Sequence, residues 1–469
     1  MADSSTAPPL TRASVVAARE LIKPFIHHTP TLTNSTLTKL ASKQRTPEEL
    51  KGSPWEGRAN DRSGKGASNP KIRLWFKCEN LQRVGAFKVR GAFQRLKKEP
   101  GWLAGGGAER GVVTHSSGEY SFFSYVLDKP ILCWGSISVA PRTGTWYIAK
   151  LHEPVLMDEK EEDSGNHAQA LSLAARTNGI PAYIVMPSIS PPPKIAATRG
   201  YGANVIFSGS TSVEREAVCA EVIEETGARL IPPYDHPDII LGQGTLGLEL
   251  QEDAARLMSE ADVDDQEGMA DKGQGGRCSF AAPVTKESRG QSGGGSHKKE
   301  KGLDIVLAPC GGGGMLSGVA LSCEGTGIRV FGCEPSFEGA DDAKRGFESG
   351  QRVETVKTLT IADGLRTPVG TVPWSVIYER RLVEGFYSVT EAEIKSALRL
   401  VLERFKMIVE PSACVPLAVA LYNEDFRALV EREFGEQGAD VGIVFSGGNL
   451  DLDVLAKIVA EGNLEEVST

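Results

Sequence analysis

What most constrains this chain is an alternation that begins near residue 72 and continues almost to the end. Short runs rich in β-branched and aromatic residues recur: IRLWFKCE (72–79), GVVTHSS (111–117), PAYIVMP (181–187), ANVIFSG (203–209), LDIVLAPC (303–310), IRVFGCEP (328–335) and DVGIVFSGG (440–448). Segments with helical character lie between them. GAFKVRGAFQRLKKE (85–99) carries Phe87, Val89 and Phe93 among its apolar positions, NHAQALSLAARTNG (166–179) is amphipathic and stops at Gly179, and PPPKIAATRGYG (191–202) is opened by prolines. Further helices are expected from Met315 and from Leu450. Strands separated by helices of this length require crossovers, so the expected class is α/β, with mostly parallel sheets flanked by helices. Upstream, ASVVAARELIKPFI (13–26) has helical spacing, and HHTPTLTNSTL (27–37) reads as turn and extended chain.

At 469 residues the chain has room for about three domains, or two with long insertions. Three stretches break the alternation. Residues 43–71 read as a solvated loop, and the Gly/Ser/Lys/Asp-rich stretch 259–301 reads as disordered. The third, 119–165, differs from both, because it carries Trp134, Trp146 and apolar patches. The net charge of −9 offers no global footprint for nucleic acid. The start MADSSTAPPLTR lacks the apolar core of a secretory signal, and no apolar run reaches the ~18 residues of a membrane span. Eight cysteines without a C-x-x-C pair match neither a secreted disulfide framework nor a zinc site. The expectation is a reduced, cytoplasmic protein.

Four consecutive glycines, Gly311, Gly312, Gly313 and Gly314, follow LDIVLAPC and lead into the helix at Met315. A helix N-terminus presents unpaired N–H groups, and glycines let an anion come close to the backbone, so this corner is a candidate phosphate cradle. No Gly-Lys-Ser/Thr follows, which excludes a P-loop. A second pattern, Gly242-Gln-Gly-Thr-Leu-Gly247, fits G-x-G-x-x-G. The stretch YDHPDIIL before it is a poor first strand, and no clean βαβ unit with a matched acidic residue follows. We read it as a packed turn entering a helix at Leu248. Lys88 lies between apolar neighbours in NLQRVGAFKVRGA, where burial would let an amine act as a nucleophile. Alone, such a lysine usually just lays its stem along apolar surface. Combined with a phosphate cradle it points to pyridoxal 5'-phosphate, which needs both a Schiff-base lysine and a phosphate site.

Seven motifs then follow in one order: KCENLQRVGAFKVRGA, the split THSSG…NHAQALS, PCGGGGMLSG, CEPSFEGADDA, TIADGLRTP, EPSACVPLA and VFSGGN. Together they resemble the serine/threonine dehydratase and serine racemase family, fold-type II pyridoxal-phosphate enzymes with a tryptophan synthase beta-like architecture. The resemblance covers nearly the whole chain outside 43–70, 119–165 and 259–301.

The resemblance implies roles. Lys88 would hold the cofactor and act as base on one substrate face, with Ser117 as acid/base on the other. Asn166 would lie near the cofactor's 3′-oxygen, and Ser116, Ser117, Gly118, Asn166 and His167 would bind the substrate carboxylate. Gly311 to Gly314 with Met315 would cradle the phosphate, and Ser446 would hydrogen-bond the pyridine nitrogen. A serine there does not enforce a protonated ring, which favours elimination or racemisation over transamination. Glu334, the Ala340 carbonyl and Asp342 match a Mg²⁺ or Ca²⁺ site of the group, consistent with the oxygen ligands such cations take. Ala86 and Val84 stand where the family commonly has hydroxyl residues, which shades substrate preference. About 20 residues follow Asn449, so control by isoleucine through a regulatory domain is not expected.

The family's run Ser-Ser-Gly-Asn-His is broken here by the 47 residues 119–165. We read the segment as a retained intron, with a genuine insertion as the competing reading. Gly118-Glu119-Tyr120 can be coded GGT GAG TAT, with a donor-like GTGAGT, and Ser164-Gly165 can be coded TCA GGC, with an acceptor CAG. Excision restores Ser-Ser-Gly-Asn-His in frame.

The expected organisation is a large cofactor domain (1–100 and 231–469) and a small one (101–230), with the cofactor in the cleft between them. The expected reaction is loss of water and ammonia from L-serine or L-threonine, giving pyruvate or 2-oxobutanoate. Serine racemisation, 3-hydroxyaspartate dehydration and a protein made inert by 119–165 are the alternatives. A small hydroxy amino acid as partner and a homodimer complete the expectation.

Overall fold

The computed structural model describes residues 8–56, 67–98, 102–115, 165–190, 192–209, 211–268, 302–452, 455–456 and 458. Its strands are β1 (Thr31–Thr33), β2 (Ile72–Cys78), β3 (Val112–His115), β4 (Ala182–Pro187), β5 (Asn204–Ser208), β6 (Arg229–Leu230), β7 (Ile305–Pro309), β8 (Arg329–Pro335), β9 (Gly385–Val389) and β10 (Ala439–Phe445). They form a six-stranded sheet, β1-β2-β10-β7-β8-β9, and a four-stranded sheet, β5-β4-β3-β6. Among the described residues only β1 runs antiparallel to its neighbour. The parallel α/β class expected from the alternation is what forms.

Period-two side chains explain why the central strands are apolar throughout. In β7, Ile305 and Leu307 pack with Phe76, Val441, Ile443 and helix Pro411–Tyr422 on one face. Val306 and Ala308 pack on the other face with Leu248, Leu250 and Val319. The smaller sheet divides likewise, Val112 and Ile184 to one side and Val113 and Val185 to the other.

Several local readings change. HHTPTLTNSTL holds β1, after which the Asn34 side chain caps a helix, Ser35–Ser42. The 43–71 loop includes a one-turn helix, Pro47–Leu50, closed by a Thr46/Glu49 capping box. The G-x-G-x-x-G stretch is not a turn before Leu248. It lies inside one continuous helix, Pro237–Gly268. Its glycines allow close helix contact: a Cβ on Gly242 would lie 2.5 Å from the Arg90 carbonyl, and one on Gly244 2.5 Å from the Gly318 carbonyl. The same helix corrects the expectation of disorder from 259 onward, because residues 259–268 continue it. Composition spoke for a loop, but cooperative extension of an existing helix is cheap. The expected disorder of 269–301 lies outside the described residues.

The six described cysteines, Cys78, Cys219, Cys310, Cys323, Cys333 and Cys414, are buried free thiols. Among the described residues no helix is long and apolar enough to cross a membrane.

Candidate active site

Parallel strands deliver the loops after their carboxyl ends to one edge of a sheet, where ligands bind in open α/β folds. Here β2, β10 and β7 are adjacent. The chain after them supplies Lys88, Ser446 and the tetraglycine corner, all lining a cleft of about 490 Å³ open to solvent. Asn166 enters the same cleft from the segment beyond β3.

Backbone hydrogen bonds stitch the first two pieces together. The Phe87 N–H donates to the Ser446 carbonyl (3.1 Å), the Gly448 N–H donates to the Gly85 carbonyl (2.9 Å), and Ala86 pairs with Gly447. Val84 holds φ +55°, a left-handed conformation unusual for a β-branched residue. The Asn449 side-chain amide donates to its carbonyl at 2.7 Å, one of the contacts that hold this strained turn.

Lys88 is the first residue of helix Lys88–Lys97. Its Nζ donates to the Pro233 carbonyl at 3.1 Å and stands 5.2 Å from the Phe87 ring centroid and 5.9 Å from that of Tyr234. A buried ionic cluster anchors this helix. Arg90 donates to both oxygens of Glu79 (2.7 Å) and both of Glu249 (2.8 Å), and the Lys77 ammonium lies 2.7 Å from Glu249. Burial acts to raise the Glu249 carboxyl, but Arg90 and Lys77 outweigh it and bring it down to about 2. Removing one member of such a set strands its partners.

At the glycine corner Gly313, with φ +82°, is the N-cap of helix Gly314–Cys323, and no side chain caps that end. A Cβ on Gly312 would lie 2.5 Å from the Tyr234 ring, so the corner is tightly covered by that aromatic. An uncapped helix start of bare backbone fits a phosphate group.

Asn166 begins helix Asn166–Thr177. Its Nδ2 donates to Glu410 Oε1 (2.8 Å), and its Oδ1 accepts from Asn449 Nδ2 (2.7 Å). The Asn449 N–H also donates to Glu410 Oε1, at 3.1 Å. Burial foremost, and then the charge of Asp363, push the Glu410 carboxyl up to about 7. Asp363 lies 3.7 Å from Lys194 and accepts from the Ser412 hydroxyl at 3.4 Å.

His167 is turned away from a role as a charged ligand. Its Nε2–H donates to the Ile231 carbonyl at 3.1 Å, and burial, then the nearby Lys88, bring it down to about 3, so it is neutral. Ser116, Ser117 and Gly118 lie outside the described residues, as does the inserted segment up to 164.

Glu334, near the carboxyl end of β8, and Asp342, the first residue of helix Asp342–Ser349, are both nearly fully buried, as is Ala340. Glu334 accepts the Ala343 and Lys344 N–H groups (3.0 and 2.8 Å), whereas Asp342 Oδ2 has no hydrogen-bond partner. Burial and then Asp342 hold Glu334 well above the usual carboxylate range, and burial pushes Asp342 up to about 7. Among the described residues no group of three or more His, Cys, Asp or Glu side chains is placed to hold a metal. Two buried acids with an orphaned oxygen nevertheless fit a divalent cation better than they fit each other.

Sequence reading assigned no role to Glu410, Asn449 or Tyr234. Glu410 and Asn449 belong to the motifs EPSACVPLA and VFSGGN, and the available signal was a glutamate directly before an apolar, proline-opened helix. Tyr234 carries no such local mark.

The comparisons agree with this geometry. Residues 161–264 and 296–447 match the family described as "Pyridoxal-phosphate dependent enzyme". The chain is 32% identical over 444 residues to serine racemase of Arabidopsis thaliana, covering 94% of each. It is 30% identical over 453 residues to L-threo-3-hydroxyaspartate ammonia-lyase of Saccharomyces cerevisiae, covering 96% of each. The crystal structure of serine racemase from Dictyostelium discoideum superposes with a TM-score of 0.60 at 31% identity, over 94% of this chain and 99% of that one. With the fold, the cleft and the relatives in agreement, this chain belongs to the pyridoxal-phosphate-dependent enzymes of fold type II, in the group of serine racemases and hydroxy-amino-acid ammonia-lyases.

Proposed function

We propose that this protein is a pyridoxal-phosphate-dependent ammonia-lyase that converts L-serine and L-threonine to pyruvate and 2-oxobutanoate with release of ammonia. The observation that carries the reading is the convergence of Lys88, the tetraglycine corner, Asn166 and Ser446 on one cleft. When bound, the cofactor supplies an electron sink for the charge left at the substrate's α-carbon. Lys88 Nζ would hold the aldehyde and act as base for the α-proton, and Gly311 to Gly314 with Met315 would receive the phosphate. Asn166, fixed by Glu410 and Asn449, would present its amide near the cofactor's 3′-oxygen. Ser446, which lines the cleft, would face the ring nitrogen with a neutral hydroxyl, which supports loss of the β-hydroxyl rather than transamination. Ser117 would serve the opposite face, and Ser116 to Gly118 with Asn166 and His167 would bind the substrate carboxylate, His167 through its backbone. The released unsaturated amine hydrolyses in water.

The reading extends to a cleft between a large domain (1–100 and 231–469) and a small one (101–230), a homodimer and a cytoplasmic setting. It also includes a Mg²⁺ or Ca²⁺ held by Glu334, Asp342 and the Ala340 carbonyl. Serine racemisation, with reprotonation from Ser117, is the second reading, favoured by the similarity to serine racemases; 3-hydroxyaspartate dehydration is the third.

Incubating the protein with cofactor and L-serine, L-threonine or L-threo-3-hydroxyaspartate separates them. Pyruvate and 2-oxobutanoate support the lyase; D-serine without 2-oxo acid, or turnover of hydroxyaspartate alone, replaces it. A bound cofactor without turnover indicates the inert form.

A further inference from the structure

Gln243, the first variable residue of the G-x-G-x-x-G stretch, has no place in the proposed function. It is fully buried between two contact glycines, Gly242 and Gly244, behind the phosphate corner. Its Nε2 donates to the Pro233 carbonyl at 3.3 Å, the same oxygen that accepts from Lys88 Nζ at 3.1 Å. Its Oε1 has no hydrogen-bond partner and faces Gly314, where a Cβ would lie 2.8 Å away. Pro233 belongs to the segment that leaves β6 in the four-stranded sheet and enters helix Pro237–Gly268 against the other sheet. That segment is also held at Ile231 by His167 and at Asp235, whose carboxylate accepts the Thr371 and Val372 N–H groups.

We propose that the Pro233 carbonyl, fixed by Gln243, is the docking acceptor for the Lys88 amine whenever that amine is not bonded to the cofactor. This rests on the reading of Lys88 as the cofactor's lysine. Lys88 joins the aldehyde carbon with loss of water. An incoming amine then takes that carbon, its two hydrogens passing to Nζ, so the lysine spends part of each turnover free. A long flexible side chain released in this way loses its position unless an acceptor waits for it. A carbonyl has two lone pairs, and Gln243 occupies one, leaving the other in a fixed direction for Nζ. Gln243 is thus a positioning residue, and Pro233 links the state of the lysine to the crossover between the sheets.

The test uses the full chain loaded with pyridoxal phosphate and titrated with ethylamine, which displaces the lysine yet needs no carboxylate site. The visible spectrum, and trapping of the lysine adduct by borohydride, report the ethylamine concentration at half-displacement. Gln243→Leu frees the carbonyl from its tether and raises that concentration about fivefold, the effect of one ordinary hydrogen bond. Gln243→Glu places a carboxylate beside the same oxygen, gives the released ammonium an anionic partner, and lowers it by at least as much. A purely structural role moves both variants the same way. Concordant shifts, no shift or reversed signs overturn the proposal; if the leucine variant does not fold, the glutamate variant decides, a lowered concentration supporting the proposal and an unchanged or raised one overturning it. A parent chain that takes up the aldehyde without borohydride-sensitive linkage to Lys88 defeats the reading of the site itself.

Discussion

Replacing Glu410 by glutamine isolates the effect of burying one acid in the cleft. Both hydrogen bonds to its carboxylate fall on Oε1, from Asn166 Nδ2 at 2.8 Å and from the Asn449 N–H at 3.1 Å. A glutamine keeps both with its own Oε1 and offers an uncharged amide in place of Oε2. In the parent, burial and the nearby Asp363 raise the carboxyl from 4.5 to about 7. An acid raised on folding favours the folded state fully below its unfolded value, and that contribution is lost as pH rises through the folded value. At about 1.4 kcal/mol per unit, the parent loses about 2 kcal/mol between pH ~5.5 and pH ~8 through this group alone. Glu410→Gln lacks that loss. Urea unfolding at several pH values measures it: the variant gains on the parent by about 2 kcal/mol on going from the acid to the alkaline end. Parallel stability curves for the two proteins would refute the argument that Glu410 is a buried, proton-retaining acid.

Other consequences can be checked directly. Gly313→Ala puts a Cβ on a residue with φ +82°, 2.9 Å from Pro373 Cβ; a cost of about 1–2 kcal/mol appears as roughly tenfold weaker binding of pyridoxal phosphate, and unchanged affinity would remove this corner from the phosphate site. Mg²⁺ or Ca²⁺ at a hundred times its dissociation constant stabilises the parent by about 2.7 kcal/mol, seen as a raised thermal midpoint. Asp342→Asn abolishes the response, and a variant that still responds places the cation elsewhere. A chain lacking 119–165 turns over hydroxy amino acids about a hundredfold faster than the full chain, because 47 residues part the two halves of the proposed carboxylate loop. Equal rates, or transcripts that consistently keep those codons, argue for a genuine insertion.

The local parts of the site were legible because their chemistry is local. Four glycines after a buried strand announce a bare helix start, and Gly313 does adopt the left-handed turn that leads into helix Gly314–Cys323. Lys88 stood out through its motif. The G-x-G-x-x-G stretch misled for the opposite reason: glycines that make room for the Lys88 helix and for Gly318 look the same in sequence as glycines in a turn. Residues 259–268 misled because composition carries no record of the helix already formed before them.

By itself the sequence determined the alternation that makes parallel sheets, the position of the glycine corner and the apolar setting that makes Lys88 a candidate, since all three follow from side-chain period, Cβ sterics and neighbouring residues. Only the tertiary structure decided that Glu410 would sit between Asn166 and Asn449, and that Pro233 would receive both Lys88 and Gln243. These groups lie far apart along the chain. Their meeting depends on strand order, and their protonation on how much water the assembled core leaves around them.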